Sequence, residues 1–272
     1  MKVGVIGLGS IGQRHARNLV SMGHEVVGID LDNNVVVPNI QRAPDGAMFW
    51  DSAPEAVVVC TPPKDHLATA SYVLGRGVPV FIEKPVTTNY QGALELIKMQ
   101  NIADVHAVVG YQLRHQVGSA FSRWESGRTL YIVNRQNMAL WPGKYERDIL
   151  EEYSHEIDIA IFLNGPVMRV AMVELSHLEY KIQLEHLQAS SDITIEGGFD
   201  GYDRRILSDD AKWEFDQDEN DWAYSAEMEY FLEDCCSDEM DPDMCTLEEA
   251  AHVVQVIEAC RESERMCRVV TI

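Results

Sequence analysis

The run Gly7-Leu8-Gly9-Ser10-Ile11-Gly12 constrains this chain more than any other feature. It follows a short β-branched run, Lys2 to Ile6, and opens a stretch, Ile11 to Met22, with apolar residues at helical spacing. Strand, glycine turn and helix in that order form the context in which GxGxxG has meaning. The first glycine permits the tight turn, the second lets backbone approach a pyrophosphate, and the third lets helix and strand pack closely. The helix start then offers free N–H groups and about half a positive charge to phosphates. Gly7, Gly9, Ser10, Ile11 and Gly12 are therefore candidate dinucleotide-binding residues. Asp30 ends the second predicted strand about 20 residues on, where a carboxylate accepts both ribose hydroxyls of adenosine and repels a 2′-phosphate. NAD is favoured over NADP; Arg14 sits close enough to soften that preference, but Leu31 and Asp32 supply no further cation. Three glycines can also serve a tight turn alone, and Arg14 and His15 read as solvated helix residues.

The first 110 residues alternate short apolar runs with helical patterns, the order that builds a parallel sheet covered on both faces. Strands are predicted over 2–6, 25–30, 46–50, 55–60, 79–82 and 106–110, with helices over 11–22, 66–75 and 88–100. The stretch 31–47 carries Asn33-Asn34, Pro38 and Pro44-Asp45-Gly46 and reads as a loop or a single turn. After Gly110 the pattern predicts a helix near 114–126, a strand near 130–139 and a long helix over 146–163. Alternating runs at 167–177, 179–188, 193–196, 205–207 and 212–215 predict a mostly antiparallel sheet. Helices over 223–235 and 247–264 and a strand over 268–272 close the chain. The fold class expected is α/β, an N-terminal Rossmann doubly wound parallel sheet over 1–110. A second α+β domain over 111–272, built on a mostly antiparallel open sheet, is expected to bind substrate and to oligomerise.

With 46% hydrophobic residues in 272, the chain is long enough to bury a proper core. Its 44 Asp and Glu against 22 Lys and Arg give a formal charge of -22, which argues against nucleic acid and anionic membranes as partners. No apolar run approaches the ~20 residues needed to span a bilayer. The segment Met1 to Gly7 is too short and Gly-interrupted for a signal-peptide core, so a cytoplasmic protein is expected. The cysteines (Cys60, Cys235, Cys236, Cys245, Cys260, Cys267) show no CxxC or zinc spacing, and Cys235, Cys236 and Cys245 have no His nearby. They read as reduced thiols, and no metal is expected.

Two further turns fall at the carboxyl ends of predicted strands, where open α/β sheets bind ligands: Thr61-Pro62-Pro63-Lys64-Asp65-His66 and Glu83-Lys84-Pro85. With GLGSIG, GYQLRH at 110–115, SHEID at 154–158 and the closing segments Glu229 to Leu232 and Thr246 to Ala250, the chain resembles the glucose-fructose oxidoreductase, inositol dehydrogenase and MocA family of NAD(P)-dependent sugar and polyol dehydrogenases. The likeness runs essentially end to end. It implies that Thr61, Pro62, His66, Glu83 and Lys84 line the cofactor, and that Lys84 lies beside the nicotinamide, with Pro85 fixing a turn that in relatives contains a cis peptide. An ammonium there would stabilise a developing alkoxide. The plainer use of His66 is packing in the following helix. Tyr111 and Arg114 are implied as substrate contacts.

On the predicted helix 146–163, Glu151 and His155 stand one turn apart, with Asp158 on the same face. A His of near-neutral pKa beside a carboxylate can exchange a proton with a substrate hydroxyl. The resemblance implies His155 as the acid/base residue and Glu151 as the carboxylate four before it, with Asp158 as a supporting partner. Relatives carry a Gly-rich stretch before this helix, where Trp141 to Asp148 stand here. These features imply an NAD-dependent oxidoreductase of a sugar, nucleotide-sugar or cyclic polyol, forming a homodimer or homotetramer. A catalytically silent NAD- or sugar-binding regulator is the alternative, and reduction of a C=C or C=N bond a third. Residues 190–249 hold 21 Asp and Glu against three Lys and Arg, so the acidic excess is expected to be a solvated face of the second domain.

Overall fold

The computed structural model describes residues 1–121, 124, 127–137, 153–176, 178–209, 211–215, 217–237 and 240–272. They fall into two compact units, 1–112 with 221–251, and 113–220 with 252–272.

The first unit is built on strands β1 (Lys2–Ile6), β2 (Glu25–Ile29), β3 (Gln41–Arg42), β4 (Ala56–Val59), β5 (Val80–Glu83) and β6 (Ala107–Gly110). They lie in the order β6-β5-β4-β1-β2-β3, all parallel, and β13 (Cys245–Thr246) adds an antiparallel edge beside β6. All residues of β4, β5 and β6 are buried, as expected where short apolar runs are covered on both faces. The covering helices are α1 (Ser10–Ser21), α3 (Pro63–Leu74) and α4 (Tyr90–Ala103), all close to expectation. The chain order reverses between β1 and β4, which brings the glycine turn and the Thr61 turn side by side at the carboxyl edge.

Two expectations are corrected here. Residues 46–50 form not a strand but α2 (Gly46–Asp51), because the Asp45 side chain caps it by accepting from the Met48 N–H at 2.9 Å. An apolar run that short fits either period, and the cap decides it. A single boundary at 110 assigns 221–251 to the second domain, yet this segment groups with the first unit. Helix α7 (Gln217–Asp234) buries Met228, Phe231 and Leu232 in the same core as Val3, Val5, Ala16 and Phe81. Since 221–251 holds 11 Asp and Glu and no Lys or Arg, the acidic excess is shared with the nucleotide-binding unit and does not belong to the second domain alone.

The second unit carries a seven-stranded sheet in the order β12-β11-β7-β10-β9-β8-β14. These are β7 (Thr129–Asn137), β8 (Val167–Ser176), β9 (Glu179–His186), β10 (Ser190–Glu196), β11 (Gly198–Leu207), β12 (Lys212–Glu214) and β14 (Val270–Thr271). Only β7 and β10 run parallel. Alternate residues such as Leu130, Ile132, Ile193 and Ile182 point to a buried face, while Tyr131, Val133, Ala171 and Val173 fall on the opposite one. Helices α5 (Leu113–Ala120), α6 (Ser154–Asn164) and the C-terminal part of α8 (Leu247–Met266) complete the unit. Of the expected helix 146–163, residues 146–152 lie outside the described residues. No described helix is long and apolar enough to cross a membrane.

Candidate active site

The candidate side chains divide between the two units. In the first, the glycine turn has the geometry a dinucleotide needs. Gly7 takes φ +91°, and a Cβ on it would stand 2.6 Å from the Cys60 carbonyl oxygen. A Cβ on Gly12 would stand 1.9 Å from the Gly7 oxygen, whereas one on Gly9 would meet nothing within 4 Å. Two glycines are thus demanded by the protein's own packing, and the middle one faces space into which a pyrophosphate fits. Gly9 caps α1 without a side-chain hydrogen bond, which leaves the N–H groups of Ser10 and Ile11 at an uncapped helix start. Asp30 is aimed at the same turn: Oδ2 accepts from the Leu8 N–H at 2.5 Å and Oδ1 from the Asp32 N–H at 2.8 Å. The Thr61 hydroxyl is buried with no partner among the described residues. These residues fit NAD.

The Thr61 and Lys84 turns are joined by His66. This residue, expected beside the cofactor, is 1% exposed. Its Nε2 lies 2.7 Å from the Thr61 carbonyl oxygen and its Nδ1 2.8 Å from that of Pro85. Burial pushes its pKa down, against the two carbonyls, and a neutral ring donates to one of them at a time. The imidazole therefore clasps two turns instead of presenting itself to a ligand. Pro62 precedes α3, with Pro63 in its first turn. Lys84 follows β5, and the Lys84–Pro85 peptide is cis.

Glu83 is 8% exposed, and its carboxylate is engaged by the protein itself. Oε1 lies 2.7 Å from His15 Nε2, and Oε2 accepts from the Lys84 N–H at 3.2 Å. The expectation that His15 is a solvated helix residue is corrected, while Arg14 is partly exposed as expected. His15 is 0% exposed, packed edge-on against Phe81 and Tyr224. Arg14 pairs with Asp221 at 3.1 Å and lies over the Tyr224 ring. Sequence reasoning also missed Glu227 of α7, whose donor atom falls within 4.8 Å of those of His15 and Glu83. Burial, and then the charge of Glu83, push its pKa well above the ordinary range, which favours a protonated acid. Nothing in Ala226-Glu227-Met228 marks that glutamate, since its neighbours His15 and Glu83 come from a helix and a strand more than a hundred residues away. Tyr111 is buried in this unit.

In the second unit, α6 is Ser154-His155-Glu156-Ile157-Asp158-Ile159-Ala160-Ile161-Phe162-Leu163-Asn164, and every residue but Phe162 is buried. It is no amphipathic helix with one core stripe, and its charged residues are held by partners. Arg114, expected to contact substrate, is 0% exposed and donates from Nε at 3.0 and 3.1 Å and from Nη2 at 2.6 Å to the Asp158 carboxylate. Its guanidinium also lies over the Phe162 ring. Glu156, unremarked in the sequence, accepts through Oε1 from Asn134 at 2.8 Å and from Arg204 Nε and Nη2 at 2.7 and 2.6 Å. Burial opposes the Arg204 charge, but Glu156 and Tyr202 together outweigh it and raise the pKa. His155 immediately precedes these held carboxylates on the same helix and is 6% exposed. Glu151 lies outside the described residues.

Residues 1–111 match the model of an oxidoreductase family with an NAD-binding Rossmann fold, the glucose-fructose oxidoreductase, inositol dehydrogenase and MocA family. An inositol 2-dehydrogenase of Cereibacter sphaeroides is 30% identical over 179 residues, 60% of this chain and 54% of that protein. A UDP-N-acetylglucosamine 3-dehydrogenase of Acidithiobacillus ferrooxidans is 24% identical over 172 residues, 61% of this chain and 55% of that one. In sequence the chain thus spans just over half the length of the curated relatives it matches. The crystal structure of a putative myo-inositol dehydrogenase from Sinorhizobium meliloti superposes with a TM-score of 0.85 at 19% identity, over 100% of this chain and 99% of that one, which shows a shared fold.

Proposed function

We propose that this chain, whose residues 1–111 belong to the oxidoreductase family with an NAD-binding Rossmann fold, is an NAD-dependent dehydrogenase acting on a secondary alcohol or ketone carbon of a sugar, nucleotide-sugar or cyclic polyol. When bound, NAD supplies the hydride acceptor or donor. The chain's own part is to bind, orient and move a proton. The uncapped start of α1 binds the pyrophosphate and Asp30 the ribose. Lys84, on a turn held by Glu83 and His66, stabilises the alkoxide form of the substrate oxygen through its ammonium. His155 takes the hydroxyl proton on oxidation and returns it on reduction. Glu151 is assigned to orienting His155 or a second hydroxyl. Arg114 and Glu156 are positioning residues: each fixes, through an ion pair, the helix that carries His155. Tyr111 stays a candidate substrate contact.

The single observation that carries this reading is the convergence, at one edge of one sheet, of an open Gly9 turn, the Asp30 carboxylate and the Lys84 turn. The test is to replace Lys84 by Ala and His155 by Asn and to follow NADH fluorescence and turnover on inositol and ketosugars. Both variants should retain NADH and lose about two to four orders of magnitude in turnover. Unchanged turnover in both would remove the assignment. The protein is further read as a cytoplasmic homo-oligomer. The face of the second sheet bearing the half-exposed Tyr131 and Val173 supports self-association, and light scattering at micromolar concentration tests it.

A further inference from the structure

We propose that Arg42, which belongs to none of the recognised motifs, is the positioning residue that sets the shape of the adenosine end of the cofactor site and so its affinity for NAD. The inference rests on the NAD reading above. Between β2 and β3 the chain runs from Asp30 to Ile40 with no helix or strand of its own. Little burial holds this stretch: Leu31 is 102% and Val36 81% exposed, and of its side chains only Val37 is buried. Yet the carboxylate that must meet the ribose begins it.

Val37, with Val35 and Ile40 packed beside it on the core, holds the far end, and what holds the end nearest Asp30 is polar. Asp32 Oδ1 accepts from the Asn34 N–H and side-chain amide at 2.9 Å each, which closes a local turn. The only long side chain described as reaching across to that turn is Arg42, whose Nη2 lies 2.8 Å from the Asp30 carbonyl oxygen, 3.2 Å from that of Asp32 and 3.4 Å from Asn33 Oδ1. Arg42 is itself placed by the sheet. It pairs with Gly28 of β2, and the Ala43 N–H donates to the Gly28 oxygen at 2.9 Å. One guanidinium thus ties the ribose-binding aspartate, through its backbone, to the strand edge. The Asp30 carboxylate is left to face the glycine turn. All three oxygens lie about one nitrogen, Nη2, whose two hydrogens they share, and the rigid guanidinium plane fixes where that nitrogen sits in a way that a flexible lysine stem does not.

The consequence is a split between binding and chemistry. Loosening the turn lowers the fraction of molecules whose Asp30 is ready for the ribose, which weakens NADH without touching Lys84 or His155. The experiment titrates NADH and NADPH fluorescence on the whole protein for wild type, Arg42→Ala and Arg42→Lys, with thermal melting alongside. Arg42→Ala should weaken NADH about tenfold, and Arg42→Lys should recover only part of the loss. Turnover at saturating NAD should be unchanged. Should Arg42→Ala fail to fold, Arg42→Lys carries the test with an expected loss of about threefold. NADH affinity within twofold of wild type in a folded Arg42→Ala, or full recovery by lysine, overturns the proposal. So does a loss confined to NADPH, which would make Arg42 a 2′-phosphate ligand instead. A wild type that binds neither dinucleotide overturns the NAD reading as well. A wild type that binds NADH beside an indifferent Arg42→Ala overturns this inference alone.

Discussion

His15 Nε2 lies 2.7 Å from Glu83 Oε1, joining the first helix after the glycine turn to the strand that delivers Lys84. Both residues are buried, and the same carboxylate accepts the Lys84 backbone N–H. The glutamate of the Glu83-Lys84-Pro85 turn therefore acts as an anchor: it fixes the backbone from which the lysine projects.

Glu227 gives this cluster a pH dependence whose sign can be stated. Its pKa in the folded protein is raised by burial and then by Glu83. A raised pKa means that its contribution to stability is fully present below the unfolded value and is lost as pH rises through the folded one. Glu227→Gln, neutral at every pH, should therefore gain melting temperature relative to wild type as pH is raised from about 4.5 to 8. A difference in melting temperature that stays constant across that range would count against the protonated acid.

Gly9 and Gly12 should fail in different ways when replaced by alanine. A Cβ on Gly12 collides with the backbone oxygen of Gly7, so Gly12→Ala should lose stability by about 2 kcal/mol or more together with NADH binding. A Cβ on Gly9 meets nothing within 4 Å, so Gly9→Ala should fold normally and lose only NADH affinity. Melting curves and NADH titrations on the two variants check this, and equal losses of stability would refute it.

Asp30→Ala removes the carboxylate that excludes a 2′-phosphate. NADH should bind roughly tenfold more weakly, and the preference for NADH over NADPH should shrink. Fluorescence titration with both nucleotides decides; an undiminished preference would mean that selectivity lies elsewhere.

Arg114 and Asp158 form a buried pair, at 0% and 1% side-chain exposure. Breaking it with Arg114→Leu strands a carboxylate and should cost about 3–5 kcal/mol. The double replacement Arg114→Met with Asp158→Leu should cost clearly less, because no unpaired charge remains. Denaturant unfolding of both variants measures the difference, and a double variant no more stable than Arg114→Leu would contradict the pairing.

Much of the first unit was legible in the chain. Short runs such as Ala56–Val59 and Val80 to Ile82 are apolar throughout because they are covered on both faces, and Gly7 and Gly12 mark themselves because no side chain fits there. Residues 46–50 were misread because the four apolar residues Ala47 to Trp50 satisfy either period until Asp45 is seen to cap them. The partners of the site were not legible at all. His15 with Glu83, Arg114 with Asp158 and Glu156 with Arg204 are separated by 68, 44 and 48 residues. An ordinary charged residue on a helix carries no sign of what will face it.

The sequence by itself determined the strand–glycine turn–helix start and the two following turns, since local sterics and the period of apolar residues write these into consecutive positions. Its spacing pointed to Asp30, and the family resemblance it carries pointed to Lys84 and His155. Only the tertiary structure decided that His66 clasps two turns, that Arg114 is locked to Asp158, that 221–251 packs with the nucleotide-binding core, and that Arg42 reaches Asp30. Each of these depends on groups apart in the chain meeting in the fold, and the His66 and Arg114 contacts form in a buried medium of low dielectric. Burial there makes an unpaired charge costly, and the fold alone selects the partner.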